Sequence, residues 1–289
     1  MDAIDRARSL ICFKNPTLIE PLGGGITNVN LRVVDEGRAY VVRLGSDIPE
    51  HGVMRWNELT ISRAAQAAGF SPGVVHHEPG VLVLDFLEAT TFDEAAVRAP
   101  ENLPRIIDVI ARVHSDLGTH LTTPVLTFWP FQVVRTYATR LVSDGSAHTA
   151  ALPDLMKEAQ ILEQATGQVD LVVGHNDLLA ANILDDGNKL WLIDWEYGGF
   201  NTPLFDLAGL AGNNGLSEDQ ERAMLLQYFG ARAENHWRPY QAIKCISLMR
   251  ETLWSMTSEI HSELDFDYSA YTAENMDRLT DALKNFRNS

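Results

Sequence analysis

Cysteine is scarce in this sequence: Cys12 and Cys245 are the only two in 289 residues. They stand far apart in apolar company and form no CxxC or Cys/His cluster. That argues against a disulfide framework and a thiolate metal site, and leads us to expect free core thiols in a reducing cytoplasm. Long apolar runs are missing too; none reaches the ~18 uncharged residues of a membrane span. The first segment, MDAIDRARSLICF, is too acidic and too short in apolar residues for a secretory signal. It reads instead as an amphipathic helix with Ile4, Ala7, Leu10 and Ile11 on one side. Basic residues are few, 23 Lys and Arg against 39 Asp and Glu, for a formal charge of −16. This argues against a nucleic-acid or anionic-membrane partner, since phosphate backbones are bound through clustered Lys and Arg. The acidity suits a cationic substrate, or simply keeps the protein soluble. Internal repeats and low-complexity tracts are also absent.

What is present is an ordinary globular composition, 45% apolar and 21% charged, with enough chain for one large domain or two cored lobes. The first ~90 residues read as strands around one helix. TLIEPL and NVNLRVV flank three glycines, DEGR makes a hairpin turn into AYVVRLG, MRWNELTISRAAQAAG is helical, and GVLVLDFLE is a further strand. Helical periods then dominate: 101–118, 130–144, 153–166, 217–229, about 239–261 and 272–287. Thr91/Glu94 and Ser217/Gln220 have capping-box spacing. The interruption at 169–194 reads as strand, loop and hairpin. The fold class expected is therefore α+β and two-lobed, with an N-terminal lobe over 1–88, a mainly helical lobe over 89–289, a junction near Asp85–Ala89, and a cleft between the lobes.

Three constellations carry chemistry. In VVGHNDLLAANIL followed by DDGNKLWLIDWE, a hairpin centred near Gly187 places Asn182 roughly opposite Leu192, so that Asn182 and Asp194 share one end. The intervening loop brings Asp177 to the same end. An amide and a carboxylate are hard oxygen ligands suited to Mg²⁺, which also binds substrate phosphates. The remaining carboxylate would orient or deprotonate a hydroxyl. The second is PLGGGITNVNLRV, whose glycines either make a tight turn or let backbone approach a triphosphate, with Thr27 and Asn28 adding polar groups. It is neither a GxxxxGK[ST] loop nor a GxGxxG loop. The third is Arg43, central in a strand with apolar neighbours. Either it is buried and needs a partner, for which Glu58 on the next helix is the candidate, or it points to the open face of the sheet. Arg55, one turn earlier, is expected to face solvent.

The order of these parts resembles eukaryotic-type kinases, and the details resemble the choline/ethanolamine kinase family within the aminoglycoside phosphotransferase superfamily, with bacterial choline kinase-like proteins nearest. GGGITNVN resembles their GGxTNxxY loop, VGHNDLLAANIL their catalytic loop, LIDWEYGGFNTPLFDLA their metal-binding segment and ETLWSM…ELDFDYSAY their C-terminal aromatic segment. The resemblance implies a protein kinase-like fold with ATP and Mg²⁺ as cofactors. It makes Asp177 the base, Asn182 and Asp194 the metal ligands, and Arg43, paired with Glu58, the phosphate holder. Gly24, Gly25, Thr27 and Asn28 would cover the nucleotide, with its adenine against Asp85–Leu87. Glu196, Tyr197, Trp254, Phe266, Tyr268 and Tyr271 would meet the alcohol, the aromatics as a cation cage. His175 and His114 are expected to brace rather than react. Thr257 and the pair Asn213/Asn214 depart from the animal enzymes, which carry a second Trp and a pocket Glu there. Choline is the first acceptor implied; ethanolamine, thiamine, an amino-sugar or an aminoglycoside are alternatives, as is a nucleotide-binding pseudokinase.

Overall fold

The computed structural model describes residues 2–23, 28–262 and 266–288. A short helix α1 (Ala3–Arg8) precedes β1 (Pro16–Pro21), β2 (Val29–Asp35), β3 (Arg38–Leu44), α2 (Arg55–Ala67), β4 (Val74–Glu78) and β5 (Val81–Asp85). The strands form one antiparallel sheet in the order β1-β2-β3-β5-β4. Asp35 pairs with Arg38 across the turn, where Glu36 and Gly37 both take positive φ, as a two-residue hairpin with right-handed strand twist requires. Alternation drives Leu31, Val33, Val42 and Val83 to one face, where they pack with Ala7, Leu10 and Phe13 from the N-terminal segment. Helix α1 ends sooner than the periodicity suggests, at Arg8, so Ile11 leaves the apolar face and is 85% exposed. Of the two thiols, Cys245 is buried and Cys12 only half-buried; both are free.

The chain then crosses to the helical lobe. β6 (Thr90–Thr91) pairs with β8 (Ile183–Asp185), which pairs with β9 (Leu190–Leu192). The helices are α3 (Glu94–Arg98), α4 (Leu103–Asp116), α5 (Pro130–Ser143), α6 (Leu152–Thr166), α7 (Pro203–Asn214), α8 (Glu218–Phe229), α9 (Ala233–His261) and α10 (Tyr268–Asn288). β7 (Val172–Gly174) and β10 (Gly199–Asn201) form a second small antiparallel pair. Helix α9 runs through the lobe with α5, α6, α7, α8 and α10 packed on it. It begins six residues before the expected start, because the chain tolerates Pro239 inside its second turn at the loss of one backbone bond. The Ser217/Gln220 capping box forms. The Thr91/Glu94 one does not: Asp93 caps α3 by accepting from Ala96 N at 2.7 Å.

Helix α2 belongs to the sheet in sequence but to the helical lobe in packing. Ile61, Ala64 and Ala65, with Phe70 just beyond the helix, sit in the same core as α4 and α5. The chain after α2 is tied to the hairpin, with Leu192 N donating to Phe70 O at 2.9 Å and Lys189 Nζ to Gly69 O at 2.9 Å. Among the described residues no helix is long and apolar enough to cross a membrane.

Candidate active site

Strand β3 alternates, so when Val42 enters the outer core Arg43 must face the other way, into the space between the lobes. There it is 8% exposed, which settles its direction in favour of the buried alternative. Its Nη2 lies 2.7 Å from Asp194 Oδ1, 3.3 Å from Glu58 Oε1 and 3.7 Å from Glu196 Oε2. Arg55 is not at the surface. Its Nη1 bridges Glu58 Oε2 at 2.7 Å and Glu196 Oε2 at 3.1 Å, while its Nε donates to Ser46 O at 2.9 Å. Two guanidinium groups thus hold three carboxylates together. Burial alone would lower the Arg43 pKa, but Asp194, Glu58 and Glu196 outweigh it and raise it; burial and Asp194 raise Glu196. Asn28 joins the cluster through Nδ2, 3.3 Å from Glu196 Oε2.

Position is enforced by close approach of α2. A Cβ on Gly198 would stand 2.7 Å from Ile61 Cγ2 and 3.0 Å from Trp195 O, so only glycine lets the helix carrying Glu58 come so near Glu196. Asn57 locks the contact, donating from Nδ2 to Gly198 O at 2.8 Å and accepting from Leu126 N at 2.9 Å.

On the other side of the cleft, the loop after β7 is suspended from Asp206 in the first turn of α7. Asp206 accepts from His175 N (2.8 Å), Asn176 N (2.6 Å) and His114 Nε2 (2.9 Å). Burial would raise its pKa, but the His114 bond and charge, with His175, bring it below the ordinary value. Gly174 makes room, since a Cβ there would be 2.9 Å from Asp206 Oδ2. Asn176 takes positive φ, and its Nδ2 donates to Tyr197 O at 2.9 Å. His175 Nε2 faces Ile193 O at 2.8 Å, which assigns the proton to that nitrogen, and burial lowers its pKa. His175 and His114 therefore brace the loop, as expected, and neither faces the cleft.

The loop presents Asp177 and Asn182. Asn182 Nδ2 donates to Asp177 O at 2.9 Å, and Ile193 N donates to Asn182 O at 3.0 Å. Ile183 is the residue opposite Leu192, so Asn182 stands opposite Ile193, one register step from the expected pairing but at the same end. The next residue, Asp194, takes a positive φ of 67°, a strained conformation for a non-glycine residue that turns its carboxylate back toward Arg43. Burial pushes the Asp177 carboxyl up to about 8, with Arg250 pulling down and Asp194, Glu251 and Glu196 adding to the rise.

Asp177, Asn182, Asp194 and Glu196 line a cleft of about 220 Å³. Tyr197, Glu251, Arg250, Trp254 and Tyr271 line the same cleft. Of the expected acceptor residues, Tyr268 packs edge-on to Trp254 at 6.0 Å, and Phe266 is 49% exposed against Tyr268 and Tyr271; neither lines the cleft. Asn213 lines it, whereas Asn214 is buried and donates to Leu178 O (3.3 Å) and Leu210 O (2.8 Å). Thr257 turns inward and donates to Leu253 O at 2.8 Å. At the junction, Asp85 pairs with Arg38 at 3.1 Å and Leu87 is half-buried. Gly24, Gly25 and Thr27 lie outside the described residues.

Sequence reasoning missed Arg55, Asp206 and Arg250. The signals were present: Arg55 and Glu58 are at i,i+3 on a helix, Asp206 is a lone charge in an apolar helical run, and Arg250 with Glu251 interrupts another.

Comparisons with known proteins show what the chain is similar to. The family model described as choline/ethanolamine kinase matches residues 19–215. The protein LicA of Haemophilus influenzae is 24% identical over 264 residues, covering 88% of this chain and 76% of that protein. A probable ethanolamine kinase of Arabidopsis thaliana is 25% identical over 285 residues, with the same shares of 88% and 76%. The crystal structure of a choline/ethanolamine kinase family protein from Mesorhizobium loti superposes with a TM-score of 0.78 at 26% identity, covering 96% of this chain and 94% of that one.

Proposed function

The chain belongs to the choline/ethanolamine kinase family and is a small-molecule kinase, and we propose from that premise that it moves the γ-phosphate of ATP to the hydroxyl of a small amino alcohol of the choline and ethanolamine class. The observation that carries this reading is the convergence, in one cleft, of the Asp177, Asn182 and Asp194 side chains with the buried guanidinium of Arg43 at 2.7 Å from Asp194.

The residues present fit the groups this chemistry needs. One amide oxygen and one carboxylate, on Asn182 and Asp194, are the hard donors that Mg²⁺ takes while keeping waters. Arg43 Nε and Arg55 Nη2 are buried without a hydrogen-bond partner among the described residues, which suits donors kept for phosphate oxygens. Bound Mg²⁺ neutralises the charge that develops between the phosphates. In this reading the 24–28 loop covers the triphosphate and the 85–87 segment meets the adenine. Glu58 and Glu196 hold the two guanidinium groups in place. Asp177 accepts the hydroxyl proton of the acceptor, orienting its oxygen for in-line attack. Burial raises the Asp177 pKa to about 8, so its ionised carboxylate is a stronger base than an exposed one. Catalysis then rests on positioning and charge stabilisation.

The test is acceptor-dependent ADP release with Mg·ATP and choline or ethanolamine. Asp177→Asn should lose at least about 100-fold in turnover while nucleotide binding, followed by calorimetry, persists. Full turnover by the variant would refute the assignment. Nucleotide binding by the native protein with no acceptor-dependent ADP would instead favour a pseudokinase.

A further inference from the structure

One aromatic side chain of the cleft lining, Tyr197, is covered by the protein's own cation. Arg250, on α9 one turn before Trp254, is 6% exposed, and its guanidinium carbon lies 4.5 Å from the Tyr197 ring centroid and 5.7 Å from that of Phe128. Its Nη1 donates to Glu251 Oε2 at 2.9 Å. Its Nε and Nη2 have no hydrogen-bond partner among the described residues. A buried guanidinium over an aromatic face is a satisfied cation–π pair, and that face is no longer available to a second cation. Trp254 is similarly engaged: the His51 ring stands 5.1 Å from it and the Tyr268 ring 6.0 Å, edge-on. Tyr271 is turned to donate its hydroxyl to Glu251 Oε1 at 2.9 Å.

We propose that Arg250 is a specificity-determining residue that sets this cleft for a primary ammonium alcohol and against a quaternary one. The inference rests on the amino-alcohol kinase reading above. A trimethylammonium group has no N–H and is held by open aromatic faces; here the Tyr197 face carries Arg250. A primary ammonium donates three hydrogen bonds. Glu251 lines the cleft, and each of its oxygens accepts one bond, from Tyr271 and from Arg250, leaving a lone pair on each for an N–H donor. Asn213 adds an amide to the same cleft lining.

The experiment compares kcat/KM for 2-aminoethanol and its N-methyl, N,N-dimethyl and N,N,N-trimethyl forms, in the native protein and in Arg250→Gln and Arg250→Met, with thermal unfolding run alongside. The native protein should lose at least about tenfold from the primary to the quaternary acceptor, the scale of one aromatic face for a cation. In the variants the quaternary-to-primary ratio should rise by about tenfold, with KM for ATP unchanged. A native preference for the quaternary acceptor overturns the inference and leaves the kinase reading standing. An equal loss for all four acceptors overturns it too, because a purely structural arginine would act that way. If both variants unfold, the native order of the four acceptors decides alone. Failure of the native protein to turn over any of the four removes the amino-alcohol reading and the inference with it.

Discussion

Replacing Asp206 by Ala removes one carboxylate and orphans three donors at once, the backbone N–H groups of His175 and Asn176 and the His114 Nε2. All three are buried, so water does not replace the lost acceptor. An unsatisfied buried donor costs about 1–3 kcal/mol. Local relaxation makes the sum less than additive, so about 4 kcal/mol is expected, a large share of the ~5–15 kcal/mol that holds a domain folded. Asp206→Asn keeps one oxygen but turns an amide N–H toward donors, and should lie between Ala and native. Urea unfolding measures the loss, and hydrogen exchange at the His175 and Asn176 amides locates it. The sign with pH follows from the lowered Asp206 pKa. Its contribution is complete above the unfolded carboxylate value of about 3.9 and is lost as pH falls through that value toward the folded one. The variant should therefore show a flatter acid limb of stability against pH. A loss below about 1 kcal/mol, or unchanged exchange at the two amides, would refute the reasoning that this carboxylate suspends the loop.

Two further outcomes follow from the site. Gly198→Ala should push α2 away from Glu196, costing about 1–3 kcal/mol by overpacking and raising KM for ATP more than KM for the acceptor; unfolding and steady-state kinetics check both. The acid limb of kcat/KM should rise through the neutral range toward about 8 as Asp177 loses its proton. Because Arg250 pulls that pKa down, Arg250→Gln should move the limb to higher pH, and a limb that stays put or moves down counts against the assignment.

Local signals made most of the architecture legible. Alternation in NVNLRVV and AYVVRLG, the DEGR turn and the 3.6-residue periods of the later helices correspond to observed elements. Helix α7 escaped because Pro203–Ala211 is buried on every side, so no polar face marks its period; Thr202–Pro203, a cap followed by proline at the first helical position, was the available cue. β4 escaped because VVHHE is a half-exposed edge strand with little apolar contrast. Within the site, spacing along one loop and hairpin was enough to bring Asp177, Asn182 and Asp194 together. What spacing cannot convey is which way a side chain turns once distant segments meet. Arg55 looks like a surface residue until Glu196, 141 positions later, arrives beside it. Phe266 and Tyr268 look like cage members until the bend before α10 leaves them out of the cleft lining.

The loyalty of α2 to the helical lobe has a kinematic consequence. Its apolar face is part of the larger core, its Asn57 is clamped to the segment around Gly198, and the chain after it is stitched to the β8–β9 hairpin. If the cleft breathes to admit nucleotide, the hinge lies between the sheet and its own helix, and Glu58 stays with the floor. Arg43 is then the part that travels, arriving at a set of carboxylates already in position.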